Sequence, residues 1–152
     1  ILCFGQGPLR KELENALQAQ GLTDRVQLLG FRADLPDWLA CLDLVVHPAR
    51  TEGLGVALLQ AGAAGVPVVA TRAGGIPEII RDQDTGLLIE PDDVAALGAA
   101  MLRLLSDRDW ARQRGQALRA HVRAQFDARV MVAGNLAVYR ELVADRQPPS
   151  AT

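Results

Sequence analysis

Five short, mostly apolar runs, each followed by residues at helical spacing, restrict the folds open to this chain more than any other feature. The runs are Ile1 to Phe4, Val26 to Leu29, Asp43 to His47, Val66 to Thr71 and Gly86 to Ile89. After the first, Gly5-Gln6-Gly7-Pro8 makes a turn, and Leu9, Leu13, Ala16 and Leu17 then recur at helical spacing until Gly21. Asp34-Leu35-Pro36 has the N-cap and early-proline pattern of a short helix carrying Trp38, Leu39 and Leu42. Gly55 to Ala64 and Ile76 to Arg81 supply two more helices between strands. Hairpin signals are missing throughout. Continuous apolar strands alternating with helices predict a parallel sheet covered on both faces, and the right-handed crossover rule makes it a doubly wound, Rossmann-like α/β domain.

Beyond Pro91 only helices are expected. Asp92 and Asp93 suit an N-terminus, and Val94, Leu97, Met101 and Leu105 form one apolar stripe. A helix around Trp110 to Gln125 and another around Ala128 to Asp145 follow. A chain of 152 residues suits one domain, drawn over residues 1–146 with a disordered tail at 147–152. The chain opens on Ile1 in what reads as the middle of a strand, so it is expected to be an N-terminally truncated piece of a longer protein.

The net charge of −2, spread along the chain, shows no nucleic-acid footprint and leaves a small molecule as the default partner. Cys3 and Cys41 sit among apolar neighbours and are expected to be buried and reduced, which fits a cytoplasmic setting. With His47 and His121 they show none of the short spacings of a zinc site, so neither a metal nor another cofactor is expected. No run is long enough to span a membrane. Arg103, Arg112, Arg119 and Arg123 on the outer helices offer a peripheral membrane contact, but interspersed acidic and small residues make a solvated face the better reading.

In an open parallel sheet, ligands bind beyond the carboxyl ends of the strands. Four loops therefore matter: Gly5-Gln6-Gly7-Pro8, Gly30-Phe31-Arg32, Pro48 to Gly55, and Arg72-Ala73-Gly74-Gly75. Thr51-Glu52-Gly53-Leu54-Gly55 places a carboxylate and two glycines directly before a helix. A helix start offers unpaired amide hydrogens and a positive dipole end, which favour a phosphate, and a diphosphate suits them. Glu52 would repel that group if it pointed the same way, so its oxygens are better used on hydroxyl groups, as on a sugar. Gln60 lies about two turns along on roughly the face of Glu52 and Val56 and is placed to meet further hydroxyls. Taken alone, such a loop is more often a solvated turn than a binding site. His47 ends a strand near the loop and reads as a packed or hydrogen-bonded structural residue; Glu78, in a helix's first turn, also reads as structural.

The continuous text Pro48-Ala49-Arg50-Thr51-Glu52-Gly53-Leu54-Gly55-Val56-Ala57-Leu58-Leu59-Gln60-Ala61, then Gly65 to Thr71, then Gly74-Gly75-Ile76-Pro77-Glu78-Ile79-Ile80, resembles the C-terminal domain of the group 1 (family 4) retaining glycosyltransferases of the GT-B fold. Gly5-Gln6-Gly7-Pro8, Asp24-Arg25-Val26, Leu29-Gly30-Phe31 and Thr85-Gly86-Leu87-Leu88 extend the match over almost the whole chain. The resemblance implies a nucleotide-sugar donor, transfer with retention to an acceptor hydroxyl, and an N-terminal domain as partner. It gives Glu52 the transferred sugar, Gly55 and Val56 the diphosphate, position 60 the ribose, and Gly30-Phe31-Arg32 the nucleobase; Gly5, Gly7, Gly53 and Leu54 join them as donor-binding residues. It also implies an Arg and a Lys, from a segment upstream of Ile1, on the diphosphate. Bacterial polysaccharide or glycolipid synthesis is the expected setting, and the last helix is expected to expose an apolar patch that packs on the missing domain.

One position departs from the family. Its motif is Glu, seven residues, Glu, whereas this chain has Gln60, with one acceptor oxygen and an amide donor in place of two acceptors. A degenerate, non-catalytic binding module is therefore the alternative. A dinucleotide-binding oxidoreductase fits less well, because Arg10 stands where the fingerprint needs its third glycine.

Overall fold

The computed structural model describes residues 1–144; the tail at 147–152 and Asp145 lie outside the described residues. The chain divides into two compact units, Ile1–Trp38 and Leu39–Thr152. In the first, β1 (Leu2–Phe4) leads through the glycine turn into α1 (Arg10–Ala19), and β2 (Gln27–Gly30) pairs parallel with β1. The register places Cys3 beside Leu28 and slips before Phe4, which lies beside Gly30. Gly21, at φ 64°, ends α1 in the left-handed conformation. The expected stripe on α1 is not a buried one, since Leu9 and Leu13 are exposed and α1 has no buried residue.

Asp34 does not cap α2 (Leu35–Leu39) with its side chain as the pattern predicts. Its carboxylate instead accepts from Arg32 Nε at 2.8 Å and from Trp38 Nε1 at 3.1 Å. The helix is also shorter than expected and stops at Leu39, which leaves Cys41 exposed in the following turn; Cys3 is half-buried. The expectation of two buried thiols is corrected accordingly.

The second unit holds the core. Strands β3 (Val45–His47), β4 (Val68–Thr71) and β5 (Leu87–Ile89) form a parallel sheet in the order β3-β4-β5. Strand β4 starts two residues later than the apolar run because Pro67 has no amide hydrogen for the ladder; it contributes only its carbonyl, which accepts from Val45 at 2.9 Å. All four residues of β4 are buried. Val69 packs with Leu87, Ala100, Leu104 and Ala111, and by the two-residue period Val68 and Ala70 face the other side, so both faces of the central strand are covered.

Four helices build around this sheet: α3 (Val56–Ala64), α4 (Ile76–Ile79), α5 (Val94–Ser106) and α6 (Arg108–Gln125). Asp93 caps α5 as expected, accepting from Ala96 N–H at 2.8 Å. The buried face of α5, however, is Ala100 and Leu104, while Val94 and Leu105 are exposed; the small side chain of Ala100 lets the helix settle on the sheet. Helices α3 and α6 meet through glycines. A side chain at Gly62 would strike Val122 and Leu118, and one at Gly115 would strike the Gly65 carbonyl. The last helix, α7 (Ala128–Ala144), has no buried residue, and Val130, Met131, Leu136, Val138, Tyr139 and Leu142 are exposed. No helix among the described residues is long and apolar enough to cross a membrane.

Candidate functional site

The loop between β3 and α3 is held in place from several directions. His47, the last residue of β3, lies beside Ala70 of β4, and the buried Thr71 hydroxyl donates to the Ala49 carbonyl, tying the loop to the end of β4. The loop after β4 comes up against the same segment: Gly75 N–H donates to the Gly53 carbonyl at 2.8 Å. A Cβ on Gly74 would collide with the Glu52 carbonyl, and one on Gly75 would lie 2.5 Å from the Gly53 carbonyl. Only glycine fits at both positions, and Gly74 also has φ 50°. The backbone of Glu52 and Gly53 therefore rests on a two-glycine shelf.

Each carboxylate oxygen of Glu52 has a fixed donor. Oε2 lies 2.9 Å from His47 Nε2, and Oε1 accepts from Gly53 N–H at 2.9 Å. Both side chains are about a quarter exposed, at 24% for His47 and 28% for Glu52. The hydrogen bond from His47 and then that from Gly53 hold the Glu52 carboxyl below the usual glutamate range, so it stands ionised at neutral pH. A carboxylate in this state only accepts hydrogen bonds, and with one donor already on each oxygen it has further lone-pair directions for hydroxyl groups. The positively charged neighbours at this edge of the sheet are engaged elsewhere, Arg50 on Asp92 at 2.7 Å and Arg72 on Glu90 at 3.1 Å.

Gly55 precedes α3 at φ 88°, and no side chain caps the helix. Its first amide hydrogens thus have no side-chain acceptor, Val56 and Leu54 beside them are exposed, and the positive end of the helix dipole favours an anion there. Gln60 is half-buried further along α3, and no hydrogen bond among the described residues uses its side chain. Glu52, Gly53, Leu54, Gly55, Val56 and Gln60 thus belong to one loop and the helix that follows it.

The other candidate residues belong to the first unit. Gly5, at φ 113°, donates its N–H to the Gly30 carbonyl at 2.8 Å, and the Gly7 carbonyl accepts from Arg10 N–H at 3.3 Å. The first of these bonds brings the loops that follow β1 and β2 side by side, and the second closes the turn into α1. Phe31 is 70% exposed, and Arg32 pairs with Asp34 and lies 5.3 Å over the Trp38 ring. Asp34 is held at about 2 by the Arg32 and Trp38 hydrogen bonds. Arg10 reaches the Leu28 carbonyl at 3.2 Å and Glu14 at 2.8 Å, filling with a long side chain the place where a dinucleotide fingerprint needs a glycine for close helix-to-strand packing.

His47 is the residue that sequence reasoning left out of the site. It is hydrogen-bonded, as read, but its partner is the site's own carboxylate. Its place as the last residue of a strand, where the chain leaves the sheet toward the loop, was the available signal.

Residues 1–107 match the family model described as glycosyl transferases group 1. The N-acetyl-alpha-D-glucosaminyl L-malate synthase of Bacillus anthracis is 33% identical over 145 residues, which are 95% of this chain and 38% of that protein. The HepE protein of Anabaena, solved in complex with UDP-glucose, superposes with a TM-score of 0.82 at 30% identity, over 94% of this chain and 40% of that one. The C-terminal domain of a group 1 glycosyl transferase, LpcC from Francisella tularensis, superposes with a TM-score of 0.72 at 33% identity, over 79% of this chain and 63% of that one. The chain thus spans well under half of the B. anthracis relative. A match over residues 1–107, well over half of the chain, makes this chain a member of the group 1 glycosyl transferases.

Proposed function

We propose that this chain is the nucleotide-sugar-binding part of a retaining glycosyltransferase, and that its parent transfers the sugar from a nucleoside diphosphate to an acceptor hydroxyl. The carrying observation is the double anchoring of Glu52, at 2.9 Å from both His47 and Gly53, immediately before an uncapped helix. Such a carboxylate accepts from sugar hydroxyls without having to reorganise, and the amide hydrogens at the start of α3 meet the diphosphate. As the bond between the anomeric carbon and the phosphate oxygen breaks, negative charge grows on the diphosphate, where those amides and the helix dipole stabilise it. No side chain of this loop is assigned as a nucleophile. The leaving diphosphate assists removal of the acceptor proton, on the same face as the bond being broken.

Gln60 is assigned to the ribose. With one acceptor oxygen where relatives have two, it loses a charge-assisted hydrogen bond worth ~1 to 3 kcal/mol, so donor binding is weakened. The Arg and Lys expected from upstream of Ile1 would strengthen it in the parent. The apolar face of α7 is assigned to the remaining domain of that parent, which carries the acceptor site. Polysaccharide or glycolipid assembly in a bacterial cytoplasm is the setting this reading favours.

Calorimetric titration with UDP, GDP and ADP, and then with the corresponding nucleotide-sugars, tests the proposal. One nucleoside diphosphate is expected to bind, with a further gain from the sugar that Glu52→Ala removes. An unchanged gain in that variant would withdraw Glu52 from the sugar. Gln60 favours one second reading, a binding module that has lost turnover. Gln60→Glu in the parent is expected to raise donor affinity and turnover, and no gain in either would favour the module.

A further inference from the structure

We propose that His47 is a positioning residue for the donor sugar: it fixes the side-chain rotamer of Glu52 so that both carboxylate oxygens are presented to the sugar's hydroxyls. This rests on the reading of Glu52 as the sugar contact.

An ionised carboxylate has no proton to give, so the 2.9 Å contact requires that Nε2 of His47 carries the hydrogen and donates it. That fixes one tautomer when the ring is neutral and adds charge assistance when it is protonated. The donor itself is rigidly mounted. His47 closes β3 with its backbone in register with Ala70, and the Thr71 hydroxyl anchors the segment that follows. Glu52, by contrast, has a flexible side chain on a loop bounded by glycines, and its other anchor, Gly53 N–H, belongs to the adjacent residue of that same loop. Gly53 is itself held by Gly75, so this bond keeps one oxygen against the loop's own backbone, but it cannot tie the carboxylate directly to the end of the sheet. The bond from His47 can. Among the described residues, no other charged side chain makes an ion pair with either partner, since Arg50 and Arg72 are held by Asp92 and Glu90.

His47→Phe and His47→Gln separate this role from packing. Phenylalanine keeps a ring of similar size at the end of β3 but donates nothing, whereas the Gln amide reaches a similar distance and retains an N–H. The readout is the ratio of the Kd for UDP to that for UDP-glucose, and of GDP to GDP-mannose, by calorimetry on the chain and its variants. His47→Phe is expected to reduce the sugar's gain roughly tenfold, the value of one hydrogen bond to a charged group, with the nucleoside diphosphate itself binding as before. His47→Gln is expected to recover most of the gain. If Glu52→Ala removes the gain while His47→Phe leaves it intact, the positioning role is overturned and the sugar contact stands. If Glu52→Ala leaves the gain intact, the sugar contact itself falls and this role falls with it. A second measurement needs no ligand: the carboxyl carbon resonance of Glu52 followed against pH. Its midpoint is expected to rise in His47→Phe and to stay low in His47→Gln; an unmoved midpoint in His47→Phe overturns the proposal even where no nucleotide binds.

Discussion

Two glycine-rich loops leave parallel strands of this chain, and their glycines serve different purposes. In Gly5-Gln6-Gly7-Pro8 the space around both glycines is open, with no atom within 4 Å of where a side chain would begin, and only Gly5, at φ 113°, has a backbone reason for its identity. Around the loop bearing Glu52 contact sets most of the glycines: Gly74 and Gly75, from the loop after β4, carry the backbone of Glu52 and Gly53, and Gly55 turns the chain into α3, while Gly53 has open space like Gly7. Similar text thus describes a turn in one place and a fitted support for a carboxylate in the other. The difference is steric, and substitutions can measure it.

Gly74→Ala is the strongest test, because its added carbon would overlap the Glu52 carbonyl at a positive φ. A loss of roughly 3 kcal/mol or more in chemical denaturation is expected, and a loss below about 1 kcal/mol would show that the shelf yields. Gly55→Ala should cost about 1 to 2 kcal/mol, from a left-handed conformation and a 3.1 Å approach to Leu58. Acid brings a smaller effect. Because the Glu52 carboxyl is held below its ordinary value, its contribution to stability is present above the usual glutamate range and disappears as pH falls through the lowered value. In Glu52→Gln the gap between denaturation midpoints at neutral and acidic pH should therefore narrow, and a gap as wide as in the original chain would mean that the anchoring has no energetic weight. Gly7→Ala should change stability by no more than about 0.5 kcal/mol; a larger loss would show that the first loop is fitted too.

The order of strands and helices was legible because strands covered on both faces must be apolar along their whole length, and Val68, Val69 and Ala70 are. The ends of elements were less so. Pro67 sits inside an apolar run yet delays the ladder, and the turn after Leu39 exposes Cys41 despite its apolar neighbours. On α5 two adjacent stripes are apolar, and sequence could not say that Ala100 and Leu104 would face the sheet while Val94 and Leu105 faced out. The Glu52 loop stood out for its carboxylate and glycines. The bond from His47 did not, because side-chain direction beyond a strand end depends on how the intervening loop folds back, and that is fixed by Thr71, Gly74 and Gly75 from the neighbouring segment. Helix α7 illustrates the same limit on a larger scale, since an apolar sequence reveals a face but not what covers it.

The glycine contact between α3 and α6 bears on how this sequence can drift. Helix α3 begins at the Glu52 loop, rests on Val122 and Leu118 at Gly62, and ends at Gly65 against Gly115. Enlarging Gly62 or Gly115 would lift α3 off α6, and a stiff helix hands such a displacement to its opposite end. Descendants of this chain are thus free to vary much of the outer surface of α6, but changes at these two inner positions would be felt at a carboxylate that neither residue touches.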